Sequence, residues 1–126
     1  MYSHIMFGAN NIGESQKFYD AILTTLGYRP GRIDELGRVF WMDKKGIFSI
    51  TKPINGEPAS NANGSTISFS ADSPEQVQAW HAAGIANGGN TCEDPPGVRE
   101  GPTGSLYLAY LRDPSGNKIC ALYRVS

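Results

Sequence analysis

Two side chains of this sequence carry the chemistry of catalysis. His4 can take up or give a proton near neutral pH, which makes it the acid–base candidate. Cys120 can act as a nucleophile if a neighbouring base lowers the pKa of its thiol. His4 is the base available to it, because the other histidine, His81, falls in a helical stretch. Arg99, in Pro96-Gly97-Val98-Arg99, can clamp a carboxylate or phosphate through two parallel hydrogen bonds. Thr66, Ser68 and Ser70 offer hydroxyls on one face of a strand, and Trp41, Phe48, Tyr107 and Tyr110 are candidate aromatic walls. Each also has a plain reading: a hydrogen-bonded cavity histidine, a small buried thiol, a solvated loop arginine.

These residues must be positioned by short elements. Tyr2 to Gly8 reads as a strand. Asn11 is an N-cap with Glu14 at the capping-box spacing, and Phe18, Ile22 and Leu26 then mark one face of a helix over about 12–26. Gly27 ends it, and strands follow at Tyr28–Ile33, Arg38–Asp43 and Gly46–Lys52. In the second half, Ser65–Ala71 reads as a strand and Ser73-Pro74-Glu75-Gln76 as a helix start. That helix runs to about Asn87, with Val77, Trp80 and Gly84 on one face. Thr91 opens a strand that turns into a loop, since Glu93–Thr103 holds three prolines and two glycines. Leu106–Arg112 and Lys118–Arg124 form a closing hairpin across Asp113–Asn117. Alternation sends Ile5, Phe7, Ile67 and Phe69 to the helices, and turns His4, Met6, Gly8, Thr66, Ser68 and Ser70 to a cavity. Cys120 and Leu122 share a face of the last strand.

The two halves are copies of one pattern. Ser3–Ala9 returns as Ser65–Ala71, and the same offset carries His4 onto Thr66, Phe18 onto Trp80 and Gly27 onto Gly89. The turn Asp43–Gly46 returns as Asp113–Gly116 after an insertion. One domain of 126 residues is expected, with modules at about 1–52 and 65–126 and a linker at 53–64. Residues from the two modules can then face each other across a shared cavity. A net charge of −1 gives no field for nucleic acid or an anionic membrane, and no apolar run is long enough to span one. Met1-Tyr2-Ser3-His4 has no signal-peptide character, and the two cysteines form no CxxC, so a cytoplasmic setting is the expectation.

In this order, His4-Ile5, Phe18-Tyr19, Leu26-Gly27-Tyr28 and Asp113-Pro114-Ser115-Gly116-Asn117-Lys118-Ile119 resemble the vicinal oxygen chelate superfamily. This is the glyoxalase/bleomycin resistance/dioxygenase group, and the resemblance covers the whole chain. It implies an α+β fold of two βαβββ modules whose curled mixed sheets hold a metal or ligand on the concave face. It also implies a homodimer, with modules paired within each chain or exchanged between chains. Enzymes of the group bind a divalent metal through His, Glu or Gln on the first and last strands of the modules. Those positions fall on His4, on Thr66, on Cys120 and near Phe48 in this sequence. His4 is the one good ligand left, whereas catalytic zinc sites use three protein ligands, so no metal cofactor is expected.

The resulting expectation is a glyoxalase/bleomycin-resistance/dioxygenase-like protein with a degenerate metal site, binding a small organic molecule. Two alternatives stand beside it: a metal-dependent lyase, isomerase or dioxygenase of the same superfamily, and a metal-free enzyme using His4 with Cys120. The expected pocket is lined by His4, Thr66, Ser68, Trp41, Tyr110 and Cys120, with Glu93–Thr103 at its mouth.

Overall fold

A computed structural model describes residues 1–126. The first half folds as β1 (His4–Gly8), α1 (Ile12–Thr24), β2 (Arg32–Ile33), β3 (Val39–Asp43) and β4 (Gly46–Thr51). The second half folds as β5 (Ile67–Ser70), α2 (Pro74–Ala86), β6 (Asn90–Thr91), β7 (Gly97–Gly101), β8 (Gly104–Arg112) and β9 (Lys118–Arg124). Strand order is β1-β4-β3-β2 in one sheet and β5-β9-β8-β6 in the other, with β7 added against β8. In each sheet the first strand runs parallel to the last. This is the expected α+β frame of two repeated modules, βαβββ in the first half and one strand longer in the second, where β6 and β7 both pair with β8; neither sheet closes into a barrel.

The helix starts follow the capping chemistry of the sequence. Asn11 accepts the Glu14 amide at 2.9 Å, and Ser73 accepts the Gln76 amide at 3.1 Å. The Gln76 side chain accepts the Asp72 amide at 2.7 Å, so it reaches one residue beyond the cap. Gly27 takes a φ of +92° just past α1, where the Tyr28 amide turns back to the Leu23 carbonyl.

Two strands differ from expectation. The strand expected over Tyr28–Ile33 shrinks to Arg32–Ile33, because Tyr28–Gly31 folds back along α1. There the Gly31 amide donates to Asp20, and Pro30 has no amide for a ladder. The loop expected over Glu93–Thr103 contains β7, paired antiparallel with β8. Pro95, Pro96 and Pro102 flank this strand rather than interrupt it, and an edge strand needs a partner on one side only.

The modules meet through their helix-bearing faces. One apolar cluster takes Tyr19, Ile22, Trp41 and Phe48 from the first module and Val77, Trp80, Leu111 and Ile119 from the second. Phe48 packs against Tyr19 in a tilted pair, 4.8 Å between ring centroids, and meets Phe69 of β5 edge-on at 5.2 Å. Helix α2 comes close at Gly84, where a side chain would press on Leu111, Ile22 and Phe18. Fifteen buried residues form this single core. The order across the molecule is therefore sheet, two helices side by side, sheet, and the other face of each sheet points outward. No helix is long and apolar enough to cross a membrane.

Candidate functional site

The outer face of the first sheet carries His4 and Met6 of β1, Ile47 and Ser49 of β4, and Phe40 and Met42 of β3, by strand register. His4 and Met6 are exposed, and the His4 Nδ1 shares a hydrogen bond of 2.9 Å with the Ser3 hydroxyl. Ser49 is the exception: it is fully buried and donates to the Ile5 carbonyl at 2.8 Å.

On the outer face of the second sheet, Ser68, Cys120 and Tyr110 stand in one row across β5, β9 and β8. Ser70, Leu122 and Leu108 form the next row. Cys120 is only 2% exposed. Burial pushes its thiol up, against the opposing hydrogen bonds from Ser68 and Tyr110. Lys118 lies over the Tyr110 ring at 4.9 Å and pairs with Glu93. Burial also pushes the Tyr110 phenol up, with Cys120 the next contributor. This face is a polar row beside a leucine patch, and its buried thiol donates to the Ala121 carbonyl at 3.4 Å.

Several expected wall residues stand elsewhere. Trp41 pairs with Phe48, which pairs with Ile5, so both aromatics share the inner, helix-facing side. The Trp41 indole donates to Asp20 at 2.9 Å, an acceptor within α1. Tyr107 is also inward, accepting from Gln78 of α2 at 2.7 Å. Tyr110 is the tyrosine that faces outward with Cys120. Arg99 lies in register with Leu106, and its guanidinium donates to the Asp94 and Pro95 carbonyls at 3.0 and 2.9 Å. It braces its own loop instead of projecting as a free clamp. Thr66 is exposed and lies just before β5.

His4 and Cys120 do not come together within one chain. They lie on the outward faces of different sheets, with the shared core between. The tie that fixes this arrangement is the turn after β8. Asp113 accepts the Tyr19 hydroxyl at 2.6 Å, Asn117 donates to the Gly8 carbonyl at 2.9 Å, and Ser115 accepts the Asn10 amide at 2.9 Å.

One solved structure is similar to this chain in sequence as well as in shape. A glyoxalase/bleomycin resistance protein from Albidiferax ferrireducens T118 is 61% identical, covers 98% of this chain and 99% of its own, and superposes with a TM-score of 0.96. The chain belongs to the glyoxalase/bleomycin resistance/dioxygenase family. More distant structures share the fold. A family enzyme from Burkholderia phytofirmans PsJN is 16% identical, covers 95% of each chain and has a TM-score of 0.71. A lactoylglutathione lyase from Agrobacterium tumefaciens is 21% identical, covers 97% of this chain and 92% of its own, and has a TM-score of 0.66. Comparison with family models finds no match, and neither does comparison with curated proteins.

Membership in this family raises the question of a divalent metal, and the residues can be tested for fit. Phe48 at one family-type position turns into the core. Cys120 offers a buried thiol, Thr66 a hydroxyl, and only His4 an imidazole. No three His, Cys, Asp or Glu side chains gather anywhere in the chain. The set does not fit a metal of the family's kind.

A cleft of about 490 Å³ opens between the modules at one end of the interior. His4, Trp41, Phe48 and Ser68 all border it, together with Tyr28 and Asp72. Nothing in the linear sequence marks Tyr28 and Asp72 as neighbours, because they belong to different modules.

Proposed function

We propose that this chain binds a small organic molecule without a resident metal, in a cup formed between two copies. The outer face of the first sheet, with His4 and Met6, meets the outer face of the second sheet, with Ser68, Cys120 and Tyr110, from the other copy. The observation that carries this reading is the outward, opposite direction of those two faces in one chain. Neither half makes an enclosed site alone, and a two-fold homodimer would complete two. Apolar walls of Met6, Phe40, Leu108 and Leu122 with a few convergent hydroxyls suit an organic ligand. Catalysis by Cys120 is disfavoured by burial of its thiol. A cytoplasmic setting suits the two unpaired cysteines.

The test combines assembly, metal content and ligand response. Sedimentation should find a dimer, and protein prepared without chelator should hold well under one equivalent of divalent metal. A thermal-shift screen of small carboxylates, phosphates and aromatic compounds should give hits that His4→Ala and Tyr110→Ala both weaken. A stoichiometric metal held by His4 and Cys120 would instead establish the metal-dependent lyase, isomerase or dioxygenase reading. A monomer at tens of micromolar would sink the shared cup.

A further inference from the structure

The repeat makes two equivalent turns, and they are used differently. Asp113–Gly116 is seated against the end of β1 through Tyr19, Gly8 and Asn10. Its first-half copy, Asp43–Gly46, faces the end of β5, yet no hydrogen bond crosses there. Asp43 keeps its partners within its own module: the Tyr28 hydroxyl at 2.8 Å and the Lys45 and Gly46 amides at 2.7 and 3.0 Å. Where the second turn makes a clasp, the first leaves the cleft of about 490 Å³. That volume lies within the range of roughly 300–1,000 Å³ that small-molecule sites occupy.

The cleft has an apolar floor and a carboxylate on each lip. Leu23, Leu26, Phe48 and Phe69 border it, Tyr28 and Asp43 stand on one side, and Asp72 stands on the other. Only the backbone amide of Asp72 is engaged, by Gln76. Its carboxylate makes neither a hydrogen bond nor an ion pair within the chain, and neither ion pair of the molecule involves it. The Tyr28 ring adds aromatic surface that attracts cations, and Trp41 borders the cleft from within the core.

We infer that this cleft is a binding site for a small amphiphilic monocation, an apolar or aromatic body with one ammonium group seated between Asp72 and Asp43. The body fills the Leu23, Leu26 and Phe48 floor, and the ammonium pairs with the exposed Asp72 carboxylate, which has no partner within the chain. Tyr28 stays a neutral donor to Asp43, since burial and that bond push its phenol up to about 12. Lys45 stands on the same rim, and an anion held by its ammonium is the competing outcome. This inference uses the inner cleft; His4 and Ser68 border both it and the outer-face cup proposed above, so the test reads residues that belong to one site alone.

The probes are phenethylammonium, neutral 2-phenylethanol and anionic 3-phenylpropionate, followed by amide and indole NMR shifts. Phenethylammonium should move the Trp41 indole resonance saturably and leave that of the fully buried Trp80 in place. The neutral probe should bind more weakly, and Asp72→Asn should raise the phenethylammonium Kd roughly 2–5-fold, as loss of an exposed ion pair does. Leu26→Trp, which fills the floor, should abolish the shift with the fold retained. The inference is overturned if no cleft resonance moves, if Asp72→Asn binds as before, or if 3-phenylpropionate binds as tightly and loses its grip in Lys45→Gln. Shifts confined to Met6, Cys120 and Tyr110 would also overturn it, while leaving the outer-face reading standing.

Discussion

Tyr19, in the middle of α1, donates its hydroxyl to Asp113 at 2.6 Å across the boundary between the two modules. Asp113 is 3% exposed, and its other contacts come from the Ser115 and Asn117 amides and the Asn117 side chain, each at 2.9 Å. The DPxGN stretch, which resembles a family signature, is thus a structural rivet here: it holds a turn of one module against the helix of the other. Tyr19→Phe should cost about 1–3 kcal/mol, the range for a lost hydrogen bond to a buried acceptor. Urea unfolding measures it, and an unchanged midpoint would show that the rivet carries no stability.

Alkaline pH should loosen the same region. Burial pushes the Tyr19 phenol well above its ordinary value, and Asp113 adds to the shift. Tyr28 is pushed up to about 12, by burial first and its bond to Asp43 second. In the unfolded chain both ionise near about 10, so above that pH the unfolded state binds fewer protons than the folded one. Stability is therefore full below about pH 10 and falls as pH rises through the folded-state values. Urea midpoints from about pH 8 to about pH 11 should show this decline, with a shallower slope in Tyr19→Phe.

Gly89 brings its backbone close against Phe18 of α1. A Cβ there would lie 2.4 Å from Phe18 Cε1 and 2.9 Å from the Gly84 carbonyl oxygen. Gly89→Ala should destabilise by about 1–3 kcal/mol through overpacking. A differential scan that finds the melting temperature unmoved would mean that Phe18 yields freely.

The two thiols should differ sharply in reactivity. Cys120 is buried with its thiol pushed up, whereas Cys92 is half-buried at the end of the short strand β6. A colorimetric thiol reagent at mildly alkaline pH should titrate one group quickly in the native protein and both in urea. Cys92→Ser should remove the fast phase. Fast reaction of Cys120 would instead support a nucleophilic role.

Met6 offers a direct probe of the proposed cup. It is 38% exposed on the outer face of β1 and takes no part in the core cluster. Met6→Lys should leave the circular dichroism spectrum and unfolding midpoint nearly unchanged while shifting sedimentation toward monomer. A dimer that survives the charge uses another surface.

The frame was legible in the sequence because its signals are local. Asn11, Ser73 and Gly27 mark helix ends by their own side-chain or backbone chemistry, and the fixed offset between halves set the topology. The site was less legible because it depends on contacts between distant residues. Alternation along β3 says that Trp41 and Val39 share a face, but only pairing through Phe48 to Ile5 says which one. The inward direction of Trp41 is then fixed by Asp20, an acceptor twenty-one positions away. Alternation turned His4 away from the helices, but that its face and the face of Cys120 point apart comes from the packing of the two modules through their helices, which no periodicity contains. Strand β7 was hidden by prolines that border it.

Placing the whole core between the sheets has a consequence for how such a chain can change over generations. His4, Met6, Met42, Ser68 and Ser70 stand outside the fifteen-residue cluster, so their identities do little to hold the chain folded. Substitutions there can accumulate with small effects on foldedness, since surface changes away from special features usually stay within about 0.5 kcal/mol. Selection is free to rewrite what the outer faces recognise while the rivet at Tyr19 and Asp113 keeps the frame constant. Descendants of one such chain can therefore diverge in cargo long before they diverge in shape.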